Sequence, residues 1–280
     1  MRIIVTGSLG HISKPLTEEL IEKGHTVVVI SSNSEKQKDI EALGATPAIG
    51  SLEDHNFLSA TFTGADAVYA MIPPNFSEPD MRQYYNRLGN NYAQAVKESG
   101  IKRLVHLSSY GAHLDKGTGI ILGAHDVEQI FNKFTDVKVT HLRPTYFYYN
   151  LYAYLDMIKQ TGFIGSNFGG DDKLLLVAPE DIAIAAAEEI QKTDNIQKTR
   201  YIGSDELTAS EVASVLGAAI GKTDLKWVTF TDEQAKSAFE GKGMPSSLAS
   251  DLVDLGASIH SGAMQEDYLL NKPTVMGKVK

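Results

Sequence analysis

The sequence contains no cysteine. This absence excludes disulfides, thiolate metal sites and cysteine nucleophiles, so any catalysis must use other groups. Basic residues are also few, since 26 stand against 35 acidic ones and the net charge is -9. Because negative charge repels phosphate backbones, this balance disfavours nucleic-acid binding. No stretch approaches the roughly 18 consecutive apolar residues that a membrane helix needs, so no membrane association is predicted.

Targeting and metal-binding signals are absent as well. The chain opens on the strand-like run Ile3-Ile4-Val5 rather than on a basic segment and a long apolar stretch, which predicts no signal peptide and a cytoplasmic location. The eight histidines show no metal-ligand spacing, and His125 with Glu128 is not the two-histidine helix pattern of zinc proteases, so no metal is predicted. The final segment, 274–280, lacks helix-ending signals, which is compatible with a natural chain that continues beyond it.

The chain does contain a regular alternation of apolar strands and helices. Of its 280 residues, 42% are hydrophobic, as in ordinary globular proteins. The predicted strands are Arg2–Thr6, His25–Ile30, Thr46–Ile49, Ala67–Met71, Arg103–Leu107, Val137–Leu142, Arg200–Gly203 and Trp227–Phe230. The predicted helices are Pro15–Glu22, Glu35–Leu43, Met81–Lys97, Val127–Phe134, Pro179–Gln191 and Val212–Ile220. Parallel strands need crossover connections, so this order predicts a parallel sheet covered on both faces.

The predicted fold is therefore α/β: a doubly wound, parallel-sheet Rossmann domain with a small, mostly helical C-terminal domain on the substrate side. The Rossmann domain is assigned to residues 1–150 with later additions from about 174–204, and the smaller domain to 151–173 and 205–280. Two helix starts carry local signals. Asp181 is expected to cap its helix, and Thr208 with Glu211 has the spacing of a capping box.

The turn after the first strand predicts a dinucleotide site. It reads Gly7-Ser8-Leu9-Gly10-His11-Ile12-Ser13, and it follows a strand and opens a helix. Glycines allow a tight turn and close approach of a pyrophosphate, whose charge is met by main-chain N–H groups at the helix N-terminus. Ser13, at the third glycine position, is small enough for close packing. A simple tight turn is the alternative.

The end of the second strand bears on the choice of cofactor. Proteins that prefer NAD place a carboxylate there to bind the ribose 2′-hydroxyl, whereas this chain has Ser31-Ser32-Asn33 with Lys36 close by. The missing carboxylate favours NADP(H), although no arginine is present to strengthen that preference. Alternatively, Ser and Asn at these positions cap the helix that begins near Glu35.

Four short segments together resemble one known family. They are Thr6-Gly7-Ser8-Leu9-Gly10, Gly50-Ser51-Leu52-Glu53-Asp54, Leu107-Ser108-Ser109 and Leu142-Arg143-Pro144-Thr145, in that order. The chain thereby resembles the NmrA-like family of atypical short-chain dehydrogenase/reductases over nearly its whole length, and within it most resembles the NADPH-dependent quinone oxidoreductases. Members bind NAD(P) and act as reductases or as redox-sensing regulators.

The resemblance implies a set of cofactor-binding positions. Those expected at the pyrophosphate are Gly7, Ser8, Leu9, Gly10, His11 and Ile12; at the adenosine ribose and its phosphate, Ser31, Ser32, Asn33 and Lys36; and at the adenine, Gly50, Ser51 and Leu52. Those expected beside the nicotinamide and its ribose are Met71, Ile72, Pro73, Pro144, Thr145, Tyr146 and Phe147, with Ser108 and His125 nearby. Apart from His125, which lies near a later helix start, these positions follow the carboxyl ends of predicted strands. Open α/β sheets bind their ligands outside these strand ends.

The usual proton relay of short-chain dehydrogenases, a tyrosine followed four residues later by a lysine, is missing. Among the twelve tyrosines only Tyr268 has such a lysine, Lys272, and it lies far from the expected helix. Where the family leads us to expect the lysine, the chain has His125. His125 is a candidate proton donor or ribose contact, with a structural hydrogen bond as the alternative. Tyr110 and Ser109 are further candidates, with strand-end hydrogen bonding as the alternative.

These features leave three functions open. A quinone-like acceptor takes a hydride directly and needs only alignment and a dry pocket, which favours a reductase of planar conjugated acceptors. The dense aromatics between Tyr146 and Tyr154 would form its substrate wall. The missing relay also suits a cofactor-sensing regulator with a protein partner, and a sugar-nucleotide epimerase-like protein is the third alternative. A homodimer is compatible with each.

Overall fold

The strands and helices form one parallel α/β sheet with smaller sheets and helices after it. A computed structural model describes residues 1–273 and 275–279; the prediction for 274–280 falls partly outside them. The strands are β1 (Arg2–Val5), β2 (Thr26–Ser31), β3 (Thr46–Ile49), β4 (Ala67–Ala70), β5 (Arg103–Leu107), β6 (Lys138–Pro144), β7 (Tyr146–Phe147), β8 (Ile164–Ser166), β9 (Lys173–Val177), β10 (Thr199–Ile202), β11 (Asp205–Thr208) and β12 (Trp227–Thr229).

The helices fall between these strands and after the last of them. They are α1 (Ser13–Glu22), α2 (Gln37–Ala42), α3 (His55–Phe62), α4 (Met81–Ser99), α5 (Leu122–Phe131), α6 (Leu155–Thr161), α7 (Pro179–Gln191), α8 (Ala209–Ala219), α9 (Asp232–Gly241), α10 (Ser246–His260) and α11 (Gln265–Leu270). Short 3₁₀ helices span Ser34–Lys36, Gly119–Ile121 and Tyr148–Tyr154.

Seven strands form the main sheet in the order β10-β6-β5-β4-β1-β2-β3, and all neighbours are parallel. The chain reverses direction across the sheet between β1 and β4, which creates a crevice at the carboxyl ends of these strands. The predicted doubly wound α/β fold is confirmed. The inner strands β1, β2 and β4 are almost wholly buried on both faces, which explains the uninterrupted apolar runs of β1 and β2, whereas the edge strand β3 is partly exposed.

Two apolar layers cover the sheet, one on each face. On one face, α1 and α7 contribute Leu16, Leu20 and Ile182 to the core; on the other, α3 and α4 contribute Leu58 and Leu88. A third cluster joins β8, β9, β12 and the C-terminal helices, and its members include Ile164, Leu175, Trp227, Ile259 and Tyr268. The division into domains at the predicted boundaries stays a prediction.

Several predicted elements shift in the structure. Helix α5 begins at Leu122 rather than Val127, and α3, α6, β8 and β9 were not predicted, because short elements give little periodicity. The capping box of Thr208 and Glu211 is confirmed. Within residues 1–273 and 275–279, no helix combines the length and apolarity needed to cross a membrane.

The prediction that Asp181 caps α7 is wrong. The helix starts with Ala178 as the N-cap and Pro179 in its first turn, and no side chain caps it. The buried Asp181 carboxylate instead accepts hydrogen bonds from the Ser204 hydroxyl at 2.6 Å and from the backbone N–H groups of Lys278 and Val279 at 2.9 and 3.2 Å. Asp181 therefore fastens the C-terminal segment to α7.

Candidate functional site

The turn between β1 and α1 can only be built with glycine at position 7. Gly7 has φ +90°, and a Cβ there would lie 2.5 Å from Ser13 Oγ and 2.9 Å from the Met71 side chain. The Ser13 hydroxyl donates to the Thr6 carbonyl at 2.7 Å, so it closes the turn from the helix side. The small residue at position 13 thus packs as predicted, and Met71, which directly follows β4, lies against the turn.

The same turn presents unpaired backbone donors. Ser8 N–H donates to the Ile30 carbonyl at 3.0 Å, and Gly10 N–H to the Gly7 carbonyl at 3.1 Å. The N–H groups of Leu9, His11 and Ile12 make no hydrogen bond to any acceptor in the described part of the chain. Three free donors before the first turn of a helix form a cradle that fits an anion such as a pyrophosphate.

Hydrogen bonds join the predicted adenosine side to this turn. Ser8 Oγ donates to Ser31 Oγ at 3.0 Å, and Gly50 N–H donates to the Ser31 carbonyl at 3.0 Å. A Cβ on Gly50 would lie 2.6 Å from the Phe57 ring, so a larger residue at this position would have to displace that ring. The structure therefore brings the ends of β1, β2 and β3 together along one edge of the sheet.

The remaining adenosine-side residues have mainly local partners. The Asn33 side chain accepts from Glu35 N–H at 2.9 Å and caps the following 3₁₀ helix, as its alternative interpretation predicted, while Ser32 is exposed. Ser51 Oγ accepts from Glu53 N–H, and Leu52 packs half-buried against the core. Lys36 forms an exposed ion pair with an aspartate on α2.

After β4, the chain forms the next side of the crevice. Tyr92 of α4 donates its hydroxyl to the Met71 carbonyl at 2.9 Å. Ile72 is buried, and the carbonyl of the exposed Pro73 accepts from the Tyr84 hydroxyl at 3.2 Å. The segment predicted beside the nicotinamide ribose is thus fixed from below by hydroxyl groups of α4.

The aromatic segment meets the glycine turn. Tyr149 packs on His11 with ring centroids 5.1 Å apart, and Phe147 packs on Tyr149 at 5.0 Å. Burial raises the pKa of Tyr149 to about 12. The predicted substrate wall does not include every aromatic residue between Tyr146 and Tyr154. Tyr152 is 72% exposed, and Tyr154 packs on Trp227 of the third core cluster.

Two buried hydroxyls of this segment lack a partner among residues 1–273 and 275–279: Thr145 Oγ1 and the Tyr148 hydroxyl. Burying a hydroxyl without a hydrogen bond is costly, so such groups call for an explanation. Neighbouring positions are well anchored, since the Pro144 carbonyl accepts from Tyr110 N–H at 3.0 Å and Tyr146 packs on Phe168. The unpaired hydroxyls mark this segment as a place where a polar ligand group would find donors.

The candidates at the end of β5 are mostly engaged elsewhere. Tyr110 lies in the third core cluster, edge-on to the Tyr268 ring at 6.1 Å. Burial first, and then the neighbouring tyrosines, raise its pKa, so it keeps its proton and cannot act as a base. Ser109 Oγ donates to the Tyr110 carbonyl at 3.1 Å. The ring packing of Tyr110 and the hydrogen bond of Ser109 agree with a structural role rather than with proton transfer.

Ser108 belongs to a buried network that the sequence analysis missed. Its hydroxyl donates to Glu128 Oε1 at 2.5 Å, and Arg143 binds both Glu128 oxygens at 2.9 and 2.6 Å. Arg143 also donates to Asp267 of α11 at 2.8 Å, as does the Tyr201 hydroxyl at 2.6 Å. No local pattern reveals this network, because its members lie on four separate elements and on the loop after β5.

His125 is oriented by one hydrogen bond. Its Nδ1 lies 2.9 Å from the Ala112 carbonyl, which can only accept, so Nδ1 carries a proton. Nε2 is then the ring nitrogen left to exchange a proton or contact a ligand. Both predicted roles, the structural bond and the ligand contact, can be filled by the two nitrogens of the same ring.

Tyr268 and Lys272 do meet in space, but not as a relay. Both bind Glu206, the tyrosine hydroxyl at 2.7 Å and the ammonium at 2.6 Å. Burial and the accepting carboxylate raise the Tyr268 pKa, whereas a relay needs it lowered. In the described part of the chain, no three His, Asp or Glu side chains converge on a metal position.

This fold and this edge define a Rossmann-like α/β protein with an anion cradle at its switch point. A sequence model of the NmrA-like family matches residues 1–255, and the chain belongs to that family.

Several known proteins that are similar to this chain are reductases or oxidoreductases. The chain is 28% identical to an NAD(P)H azoreductase of Xenophilus azovorans over 256 residues, which are 91% of this chain and 86% of the relative. An NADPH-dependent quinone oxidoreductase of Escherichia coli, solved with NADPH, superposes with a TM-score of 0.82 and 22% identity, over 96% of this chain and 93% of that one. The triphenylmethane reductase of Citrobacter sp. with NADP(H) gives 0.75 and 20%, over 94% of each chain. These structural likenesses support the shared fold.

Proposed function

We propose that the chain is an NADP(H)-dependent reductase that passes a hydride to a planar conjugated acceptor of the quinone or azo type. The observation that carries the proposal is the cradle of free N–H groups on Leu9, His11 and Ile12, set against the aromatic segment through the contact between His11 and Tyr149. The azoreductase of similar length is the relative that supports an oxidoreductase role.

The residues present fit the phosphate-bearing half of a dinucleotide. Gly7 leaves no space for a side chain, which keeps the turn tight, and the helix dipole of α1 favours a negative charge at the free N–H groups. No carboxylate stands at residues 31–33 to repel a 2′-phosphate, and Lys36 lies one 3₁₀ turn further on. These features support NADP(H), with a modest preference over NAD(H).

The acceptor side is suited to orientation rather than to acid–base chemistry. When bound, the reduced nicotinamide supplies a hydride, and the acceptor gains its second hydrogen as a proton from water. The chain would contribute a flat apolar surface at Phe147 and Tyr149 and exclude bulk water from it. The raised pKa of Tyr110 supports transfer without a tyrosine relay. His125 Nε2 is the group that would help to deliver this proton to the acceptor.

The test is NADPH oxidation by the purified chain, followed at 340 nm with and without a soluble naphthoquinone or an azo dye. A Gly10→Glu variant should lose cofactor binding, measured by NADPH fluorescence, because a bulky anion would fill the cradle beside the Gly7 carbonyl. Gly241→Glu is the matched control, since a Cβ at position 241 meets no atom within 4 Å. The control should bind and turn over like the wild type.

Two results would contradict the proposal in different ways. If the wild type binds NADPH but leaves a broad panel of acceptors unreduced, the chain is a cofactor-sensing protein, as the missing relay also allows. If neither NADPH nor NADH binds below the millimolar range, the dinucleotide site itself is wrong.

A further inference from the structure

The adenosine side of the cradle contains few charges that could distinguish NADP(H) from NAD(H). Ser31 Oγ already accepts from Ser8 Oγ and from Asn33 N–H, and the Asn33 carboxamide caps the next turn. Lys36 is the single cationic side chain between residues 31 and 37. Lys38 follows on α2, but Lys36 is nearer in sequence to the strand end. A 2′-phosphate there would take a charge contact from Lys36, whereas the neutral 2′-hydroxyl of NAD(H) would not.

Lys36 already has an anionic partner, Asp39, which would compete with a phosphate for its ammonium group. Its Nζ lies 3.2 Å from Asp39 Oδ2, one turn along the chain. The two side chains are 47% and 59% exposed, so the pair is solvated and can rearrange at small cost. A phosphate bound to the same ammonium would stand on the order of 6 Å from the Asp39 carboxylate, close enough for repulsion between the two anions.

We propose that Asp39 is a specificity-determining residue that limits the preference for NADP(H). Its carboxylate competes with the 2′-phosphate for Lys36 and repels the phosphate once it is bound, while NAD(H) is unaffected. This inference rests on the proposed function, since it assumes that the cradle binds a dinucleotide. It identifies a residue outside the turn and strand end where cofactor choice is usually sought.

The experiment measures the dissociation constants of NADPH and NADH by nucleotide fluorescence on the full chain. Asp39→Asn should lower the NADPH constant about three- to fivefold, the scale of an exposed charge pair, and leave the NADH constant within about twofold. Lys36→Gln should raise the NADPH constant alone. In the double variant the gain from Asp39→Asn should shrink, because the carboxylate then has no ammonium to withhold.

A matched control comes from the same helix. Glu41→Gln removes the same charge, but Glu41 accepts from Gln37 Nε2 at 3.0 Å rather than from Lys36, and it should change neither constant by more than about twofold. The gain of Asp39→Asn should also fade at high salt, because screening weakens exposed charges.

Each outcome decides a separate point. An Asp39→Asn variant with an unchanged ratio of NADPH to NADH constants overturns the inference and leaves the proposed function standing. A variant in which both constants rise together shows a structural role for Asp39 in α2, which also overturns it. A wild type that binds neither nucleotide contradicts the proposed function instead.

Discussion

Acid should destabilise this protein through a pair of buried histidines in the centre of the sheet. His106 of β5 and His141 of β6 are register partners, each 2% exposed, with their Nδ1 atoms 3.0 Å apart. His141 Nε2 lies 3.3 Å from Asn132 Oδ1, which fixes its proton there and leaves its Nδ1 to accept from His106. Both rings are therefore held in the neutral form.

The size of the effect follows from the shifted pKa values. Burial lowers the pKa of His141 from 6.5 to about 4, against a smaller raising effect from Glu128, and burial also lowers that of His106. A folded-state pKa below the unfolded value means that the unfolded chain binds more protons between them. The stabilisation is present above pH 6.5 and is lost as the pH falls towards 4, by about 3 kcal/mol for His141.

The assay is urea unfolding followed by the fluorescence of Trp227, which is buried in the native state, at half-unit steps from pH 7 to pH 4.5. In His141→Gln, one titrating proton is gone, so the unfolding free energy should fall less steeply with acid, by up to about 1.4 kcal/mol per pH unit. His55→Gln, outside this pair at the start of α3, should keep the wild-type slope. Equal slopes in the wild type and His141→Gln would refute the neutral buried pair.

Three further substitutions test the site. Glu128→Gln leaves the Arg143 charge buried with a weaker partner and should cost about 3 kcal/mol in urea unfolding; an unchanged midpoint would contradict the buried ion pair. Asp267→Asn should cost less, about 1 kcal/mol, because its side chain is 30% exposed, and the neighbouring exposed Glu266→Gln serves as its control. Gly7→Ala should weaken NADPH binding more than tenfold, whereas Gly64→Ala, with φ +76° and open space around its Cβ, should not. If Gly7→Ala binds NADPH as tightly as Gly64→Ala does, the close packing at position 7 is not needed for binding.

Local patterns predicted the glycine turn between β1 and α1, and long-range contacts could not be predicted in the same way. The apolar runs of β1 and β2 and the positions of Gly7 and Ser13 depend on neighbours in sequence, so both the fold class and the turn follow from the residues alone. The role of Ser108 depends on Glu128, which lies 20 residues away on another element. Such pairings are fixed by how the elements pack.

Helix α3 is an example of a whole element that could not be predicted from local sequence. It has eight residues, and Asp54 caps it by accepting from Phe57 N–H at 3.1 Å. No helix is predicted here from the sequence, because the apolar stripe behind the cap, Leu58 and Phe62, is too short to distinguish a helix from a strand. Packing against α4 decides the outcome.

The strand order also has a consequence for synthesis on the ribosome. β6 ends at Pro144, but its outer neighbour β10 spans Thr199–Ile202, so the partner strand emerges some 55 residues later. During that interval the nascent chain can assemble the inner strands while the β6 edge is still unpaired and open to other strands. We therefore expect the nascent chain to be most prone to aggregation after β6 has formed and before β10 is available to pair with it. A chaperone that binds the exposed β6 edge would prevent such aggregation.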